Sequence, residues 1–368
     1  MGKGVQERLA AFSGQAAGAV HLFCDGHRAQ DTALSCVAAK LNSQELNSQE
    51  LSYGELREKS TRFAAALSTL GVGREDRVAM LMAASANWAI ALLGIWRLGA
   101  VAVPLATTLA QDRIAFALRS SGAGLVIGDA DQRRRLVPPG QVPTDASTPV
   151  VVAGGEAFGY DHSFAEMVAG SGSFSAVPQP STADASFPGG PAHGPVEDPA
   201  GGSPALLQLF TPDRPAGVDM GLQELGSFVK ALDAALDVRR DDVLLDLSDA
   251  GGASGNCWAL IAALASGRRA LLLPAGFDAR LVWAVMDKFK VTKLVATAGV
   301  YKSLQADSAP GRRHRLRRAS STGEPLAAEV VAWALEALGV EPEARTADGT
   351  LDKHLPPGPD GVPVRRSR

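Results

Sequence analysis

The sequence predicts an α/β protein built on mostly parallel sheets, and three observations carry that prediction. Short apolar runs of strand length alternate with stretches of helical period along most of the chain. Gly, Pro and polar punctuation separates them as expected for repeated βα units. The 368 residues are 46% hydrophobic and 20% charged, which is enough apolar mass for a large core and a length that suits two subdomains.

Taken in order, "YGELREKSTRFAAALSTLG" puts Leu56, Phe63, Ala66 and Leu67 on one helical face and stops at Gly71. "RVAMLMA" follows as a strand, then a helix from about Asn87 to Leu98, the strand "AVAVPL", a helix around Arg113 to Ser120, and the strand "GLVIGDA". The apolar window from Trp88 to Ala106 is interrupted by Arg97, Gly99 and Pro104, so it reads as a buried helix running into a buried strand and not as a membrane span. Residues 1–170 form the first βα subdomain on this reading. Residues 171–204 are rich in Pro, Gly, Ser and Ala with few large apolar residues, and are expected to be a flexible linker.

The alternation resumes in residues 205–340, the second βα subdomain. It runs through the strand "ALLQLF", the helix "GLQELGSFVKALDAAL", the strand "DVLLDL", the helix "CWALIAALASG", the strand "RALLLP" and the helix "ARLVWAVMDKFK". "TKLVAT", "LRRASS" and the helix "PLAAEVVAWALEALG" complete it. Residues 341–368 are polar and Pro-rich, and are expected to be a tail. The one internal repeat, "LNSQE" at Leu41 to Glu45 and again at Leu46 to Glu50, is too short for a solenoid and is expected to lie in a surface loop before a strand.

Charge and cysteine content narrow the function classes. Thirty-six Lys and Arg against 39 Asp and Glu leave a net charge of -3, so no global field points to nucleic acid or an anionic membrane. Cys24, Cys36 and Cys257 are far apart with no CxxC pair, which argues against a disulfide framework or a zinc site and fits a reducing cytoplasm. The opening "MGKGVQERLAAFSGQ" has no apolar run of signal-peptide length.

Four local patterns fail on context. "SGAGLVIG" leads from a helix into a strand, the reverse of a dinucleotide fingerprint. "GGASGN" around Ser254 lacks the final Gly of a nucleophile elbow. "RRHRLRR", Arg312 to Arg318, leads into a strand and is expected to present a solvated face. His314 has no companion His or Cys nearby, so no metal site is expected.

Taken together, the segment from "LSYGELREKSTRFAAAL" to "LGAVAVPL", with "GRRALLLPAGF", "AGVYKSL" and "SSTGEPL", resembles the adenylate-forming (AMP-binding) superfamily, within it acyl-CoA synthetases acting on acetate-like or medium-chain acids. The resemblance covers nearly all of Ala33 to Val340 apart from the linker. It implies the fold of the large N-terminal domain of such enzymes. It also implies activation of a short-chain or fatty carboxylic acid by ATP and magnesium to an acyl-adenylate, followed by transfer to coenzyme A.

The family's phosphate loop reads like Ser/Thr-Ser-Gly-Thr-Thr-Gly-x-Pro-Lys-Gly, and its hydroxyls, backbone N–H groups and lysine surround the terminal phosphates. Here "LLQLFTPDRPAGVDM" stands in its place. Thr211 matches the first hydroxyl residue, Pro212 and Asp213 replace Ser and Gly, the run is about three residues short before Pro215, and Ala216 replaces the lysine. Gly217 resumes the pattern with Val218, and Arg214 is the candidate substitute cation.

The resemblance further places the acyl pocket at Asp249, Gly251 and Gly252, where the family's tryptophan is absent, with Gly299 and Val300 of "AGVYKSL". It places adenine contacts at Gly323, Glu324 and Pro325, and a stand-in for the magnesium-binding acid at Asp352. The family's ribose-binding Asp and the C-terminal domain with its catalytic lysine have no counterpart in this sequence. Three readings stay open: a degenerate ligase with little or no activity, an active ligase completed by a partner chain, or a pseudoenzyme acting as an interaction or regulatory protein.

Overall fold

The computed structural model describes residues 19–39, 46–136, 148–170, 205–211, 214–222, 224–226, 229, 237, 239, 241–247, 258–273, 278–307, 315–322 and 325–345. The chain opens with β1 (Thr32–Ala39) and β2 (Leu46–Ser52), then α1 (Tyr53–Thr69), β3 (Arg77–Leu81), α2 (Ala86–Arg97), β4 (Val101–Pro104), α3 (Gln111–Ser121) and β5 (Leu125–Asp129). After it come β6 (Val150–Ala153), β7 (His162–Ser163), α4 (Phe164–Ala169), β8 (Leu207–Thr211) and β9 (Arg214–Met220). The last stretch holds β10 (Val243–Asp246), α5 (Trp258–Ser266), β11 (Arg269–Leu272), α6 (Ala279–Lys288), β12 (Lys293–Thr297), α7 (Ala298–Ala306), β13 (Arg318–Thr322), α8 (Ala328–Leu338) and β14 (Pro342–Arg345).

These strands form two seven-stranded sheets, ordered β7-β6-β5-β3-β4-β8-β9 and β14-β13-β12-β10-β11-β1-β2. Each is parallel except at one edge, where β9 runs antiparallel to β8 and β2 antiparallel to β1. The fold class is therefore α/β with two mostly parallel mixed sheets. Sheet membership does not follow chain order. β1 pairs in parallel with β11 through Leu34↔Ala270 and joins the second sheet, while β8 pairs with β4 through Ala102↔Leu207 and joins the first.

Three apolar layers hold the sheets. Between the sheets, Val78, Met80 and Ile127 of the first and Leu34, Leu244 and Leu272 of the second share one core with α1, α2 and α5. Outside the first sheet, Ala79, Leu81, Val103 and Val126 pack with Ile114 and Ala117 of α3. On the outer face of the second, Leu245, Leu271 and Leu294 meet α6, α7 and α8. Successive strand residues point to opposite faces, so a sheet covered on both sides must be apolar on both, which is why these strands read as continuous apolar runs.

Local chemistry explains the central helices. Ser52 accepts from the Glu55 N–H at 3.2 Å while Glu55 accepts from the Ser52 N–H at 2.8 Å, a reciprocal cap that starts α1. Its expected apolar face, Leu56, Phe63, Ala66 and Leu67, is buried. In α2, a Cβ at Gly94 would stand 2.7 Å from the Phe63 ring, so the glycine is what allows the two helices to approach. The expected helix after Gly221 is present at Leu222, Glu224 to Gly226 and Val229, and its remaining positions lie outside the described residues.

Three expectations need correction. The second "LNSQE" copy is not in a loop: it is the body of β2, whose polar residues are tolerated because β2 is an edge strand. Residues 342–345, expected within a polar tail, form β14 at the opposite edge, where Glu343 accepts from Ser320 Oγ at 3.3 Å. Among "RRHRLRR", Arg317 does not simply face water. It bonds to the buried Asp242 carboxylate, while Leu316 is buried. The linker 171–204 lies outside the described residues, as do Cys257 and His314.

Candidate functional site

In an open α/β sheet the C-terminal ends of the parallel strands are where loops can form a binding site. In the first sheet that edge includes Leu81, Pro104, Asp129 and Thr211; in the second it includes Asp246, Leu272, Thr297 and Thr322. Thr211 is the last residue of β8, and the chain does not pass from it to a helix. It reverses into β9, so the stretch expected to turn before a helix is a β-hairpin.

The hairpin ladder runs Leu207↔Met220, Gln208↔Asp219 and Leu209↔Val218, then jumps to Thr211↔Arg214. Three residues of β9, Pro215 to Gly217, thus lie opposite Phe210 alone, a bulge that Gly217 accommodates with φ +85°. A Cβ at Gly217 would be 3.1 Å from both Gln208 Cγ and the Phe210 ring, so a side chain there would crowd both neighbours on a backbone conformation that favours glycine. Only Pro212 and Asp213 separate the paired Thr211 and Arg214. Because proline has no N–H, that connection has at most one backbone donor.

The base of the hairpin is firmly held. Trp96 Nε1 donates to the Leu206 carbonyl at 2.9 Å, and the Ala102 N–H donates to the same oxygen at 3.0 Å. Arg77 Nη2 pairs with Asp219 at 3.1 Å across the sheet. Gln208 is fully buried, and both its amide atoms lack a hydrogen-bond partner. Trp96, Ala102, Arg77 and Asp219 were not singled out from sequence, because each acts through a partner distant along the chain.

The other expected site residues divide into two groups. Gly299 and Val300 lie in the first turn of α7, directly after Thr297 at the end of β12. Pro325 follows β13, whose Thr322 pairs with Thr297, so these three share the C-terminal edge of the second sheet. Asp249, Gly251, Gly252, Gly323, Glu324 and Asp352 lie outside the described residues, as do the side chains of Thr211 and Arg214.

One titratable group at this edge escaped the sequence reading. Asp129 ends β5 and accepts the Ala83 N–H at 2.7 Å. It stands where β5 and β3 are neighbours yet lead to opposite sides of the sheet, a topological switch point. Burial, opposed by that hydrogen bond and reinforced by Asp131, raises its carboxyl to about 6. The folded state therefore holds a proton that the unfolded state releases near pH 4, so the penalty grows as pH rises from about 4 to 6 and persists above. Asp129→Asn, whose carbonyl can still accept from Ala83, is expected to be more stable than the parent by about 1 kcal/mol at pH 7.5 and equal to it at pH 4. Thermal melts at the two pH values check this.

Comparison with known proteins agrees with this geometry. The family model for AMP-binding enzymes matches residues 26–345, and the chain belongs to that family. An acetyl-coenzyme A synthetase of Pseudoalteromonas translucida is 26% identical over 319 residues, which is 78% of this chain and 45% of the relative. A long-chain fatty-acid–CoA ligase of Mycobacterium tuberculosis is 37% identical over 97 residues, 24% of this chain and 19% of the relative. Among solved structures, a Brucella canis acyl-CoA synthetase superposes with TM-score 0.72 at 26% identity over 90% of this chain and 57% of its own. The chain thus spans about half the length of the relatives it matches along most of its own length. Among the described residues, no helix is long and apolar enough to cross a membrane.

Proposed function

We propose that this chain is an acyl-CoA synthetase-type adenylation domain that has lost ATP-driven carboxylate activation and keeps a mononucleotide or acyl-binding edge. The observation that supports this most directly is the length of the β8–β9 connection. A triphosphate carries several negative charges, and an amide cradle for it needs several converging N–H groups and a cation. Two residues, one of them proline and the other an aspartate, do not fit that requirement.

The residues that would hold the rest of the nucleotide are Gly323, Glu324 and Pro325 for adenine, with Asp352 for magnesium. Asp249, Gly251, Gly252, Gly299 and Val300 would line a pocket for a short-chain or fatty acid. Coenzyme A would enter only if the adenylate formed. We read residues 1–170 and 205–340 as two βα stretches, each lending a strand pair to the other's sheet, with 171–204 connecting them and 341–368 closing the chain. A cytoplasmic location and action through a protein partner belong to the same reading.

Titration calorimetry with ATP·Mg and with AMP tests the proposal. The affinity for ATP·Mg is expected to be no greater than that for AMP, because the added phosphates find no ligands. Affinity for ATP·Mg tenfold or more above that for AMP contradicts it.

A further inference from the structure

We propose that the protein associates head to tail with further copies of itself, the outward face of α3 in one copy docking on the outward face of α8 in the next. These faces carry two of the four large apolar side chains that stand exposed among the described residues: Phe116 on α3 is 39% exposed and Leu335 on α8 is 56% exposed.

The two faces have complementary shapes. On α3, Arg113, Phe116 and Arg119 recur at every third position and form one exposed ridge, while Ile114 and Ala117 are buried against the sheet. On α8, Val330, Ala334 and Leu338 are buried, and the solvent side is lined by Ala328, Ala332 and Leu335, with Gly339 at the C-cap. A surface helix normally turns charged residues to water, and here the middle of that face is apolar. Ala328 and Ala332 carry only a methyl group and Gly339 carries none, so a shallow groove beside Leu335 can accept a ridge of i±3 spacing.

Their charges are complementary too. The α3 face holds two arginines and one acid, Asp112 in the first turn, whereas α8 exposes Glu329 and Glu336 and contains no basic residue. Arg113, Arg119, Glu329 and Glu336 have no ion-pair partner among the described residues. The arginines are spaced about 9 Å along their helix axis and the glutamates about 10.5 Å along theirs, so both pairs can close in one docked arrangement.

The partner must be a second copy for the basic face and the acidic face to meet. α3 covers the outer side of the first sheet and α8 the outer side of the second, while the inner sides of both sheets share one core. The docking faces therefore point away from each other within one chain. A contact between two unlike patches of the same molecule repeats from copy to copy and builds a ring or an open array. Two helix faces bury a small area, so the association is weak and depends on concentration and salt.

Sedimentation velocity of the full chain, from micromolar to submillimolar concentration, tests the proposal. The sedimentation coefficient is expected to rise with concentration, and to rise less at about 0.5 M sodium chloride. Leu335→Ala is expected to weaken association about tenfold. The double reversals Arg113→Glu with Arg119→Glu, and Glu329→Arg with Glu336→Arg, checked for native circular dichroism, are each expected to stay monomeric. Mixed in equal amounts they are expected to associate again, because each reversed face then meets an opposite charge on the other variant. A parent chain that stays monomeric throughout would leave these faces to a different protein and overturn the proposal. Association that survives either reversal, or two folded variants that stay monomeric when mixed, would overturn it as well.

Discussion

Replacing Pro212 and Asp213 by a longer connection of the Ser-Gly-Thr-Thr-Gly type, with lysine in place of Ala216, is expected to raise the affinity for ATP·Mg about 100-fold. The estimate takes two new charge-assisted hydrogen bonds at about 1.5 kcal/mol each, hence about 3 kcal/mol in all. The graft leaves the hairpin base untouched, where Trp96, Ala102 and the Arg77–Asp219 pair fix β8 and β9. Affinity for AMP is expected to stay within a factor of about two, since no phosphate beyond the first is involved. Fluorescence or calorimetric titration of the grafted and parent chains measures both. An unchanged ATP affinity would show that the deficit lies elsewhere.

Replacing Asp242 by alanine is expected to cost about 3–5 kcal/mol of stability, the usual penalty for stranding a buried charge. Asp242 and Lys293 have almost fully buried side chains and lie 3.6 Å apart. Lys293 also donates to the Asp237 carbonyl at 3.1 Å, the Arg239 N–H donates to Asp242 at 2.6 Å, and Thr292 and Arg317 bond to the same carboxylate. Burial alone would raise the Asp242 carboxyl, but the bonds from Arg317, Thr292 and Arg239 outweigh it and hold it below the usual carboxylate value. A depressed carboxylate contributes stability above its unfolded pKa, and that contribution is lost as pH falls through the lower folded value. Urea unfolding at pH 7 should show the loss in the alanine variant, and the gap should narrow on acidification below about pH 4. The cluster lies at the N-terminal ends of β10, β12 and β13, opposite the edge that carries the candidate site, so it serves the fold.

Much of the fold was legible because its signals are local. Strand and helix alternation follows from covered parallel strands being apolar on both faces and from amphipathic helices such as α1 and α3. What was not legible depends on pairing between distant segments. Nothing in "TALSCVAA" says that it will pair with β11 more than two hundred residues away, and nothing in "RPAGVDM" overcomes the appearance of a loop given by Pro215 and Gly217. β2 and β14 were missed because polar sequence at a sheet edge has no alternation to detect, and its strand state is imposed by the neighbour.

The candidate site shows the same division. The shortening of the loop after Thr211 and its replaced residue types were visible from residues 206 to 220, because both can be counted in sequence, but the return strand β9 that makes it a hairpin was not. Asp129 was not, since its raised pKa comes from burial beside Ala83 and cannot be read from "GLVIGDA" alone. The supports of the hairpin, Trp96 and Arg77, are likewise ordinary core and strand-end residues until their partners Leu206 and Asp219 are placed beside them.

The most direct test of the central claim is acid-dependent ATP–pyrophosphate exchange by the purified full chain, run with acetate, medium-chain and long-chain acids in the presence of magnesium. A turn of two residues with at most one amide donor predicts exchange no greater than the acid-free background for every acid. Exchange that rises with acid concentration and saturates would contradict it, because it requires bound ATP with its terminal phosphates held for departure.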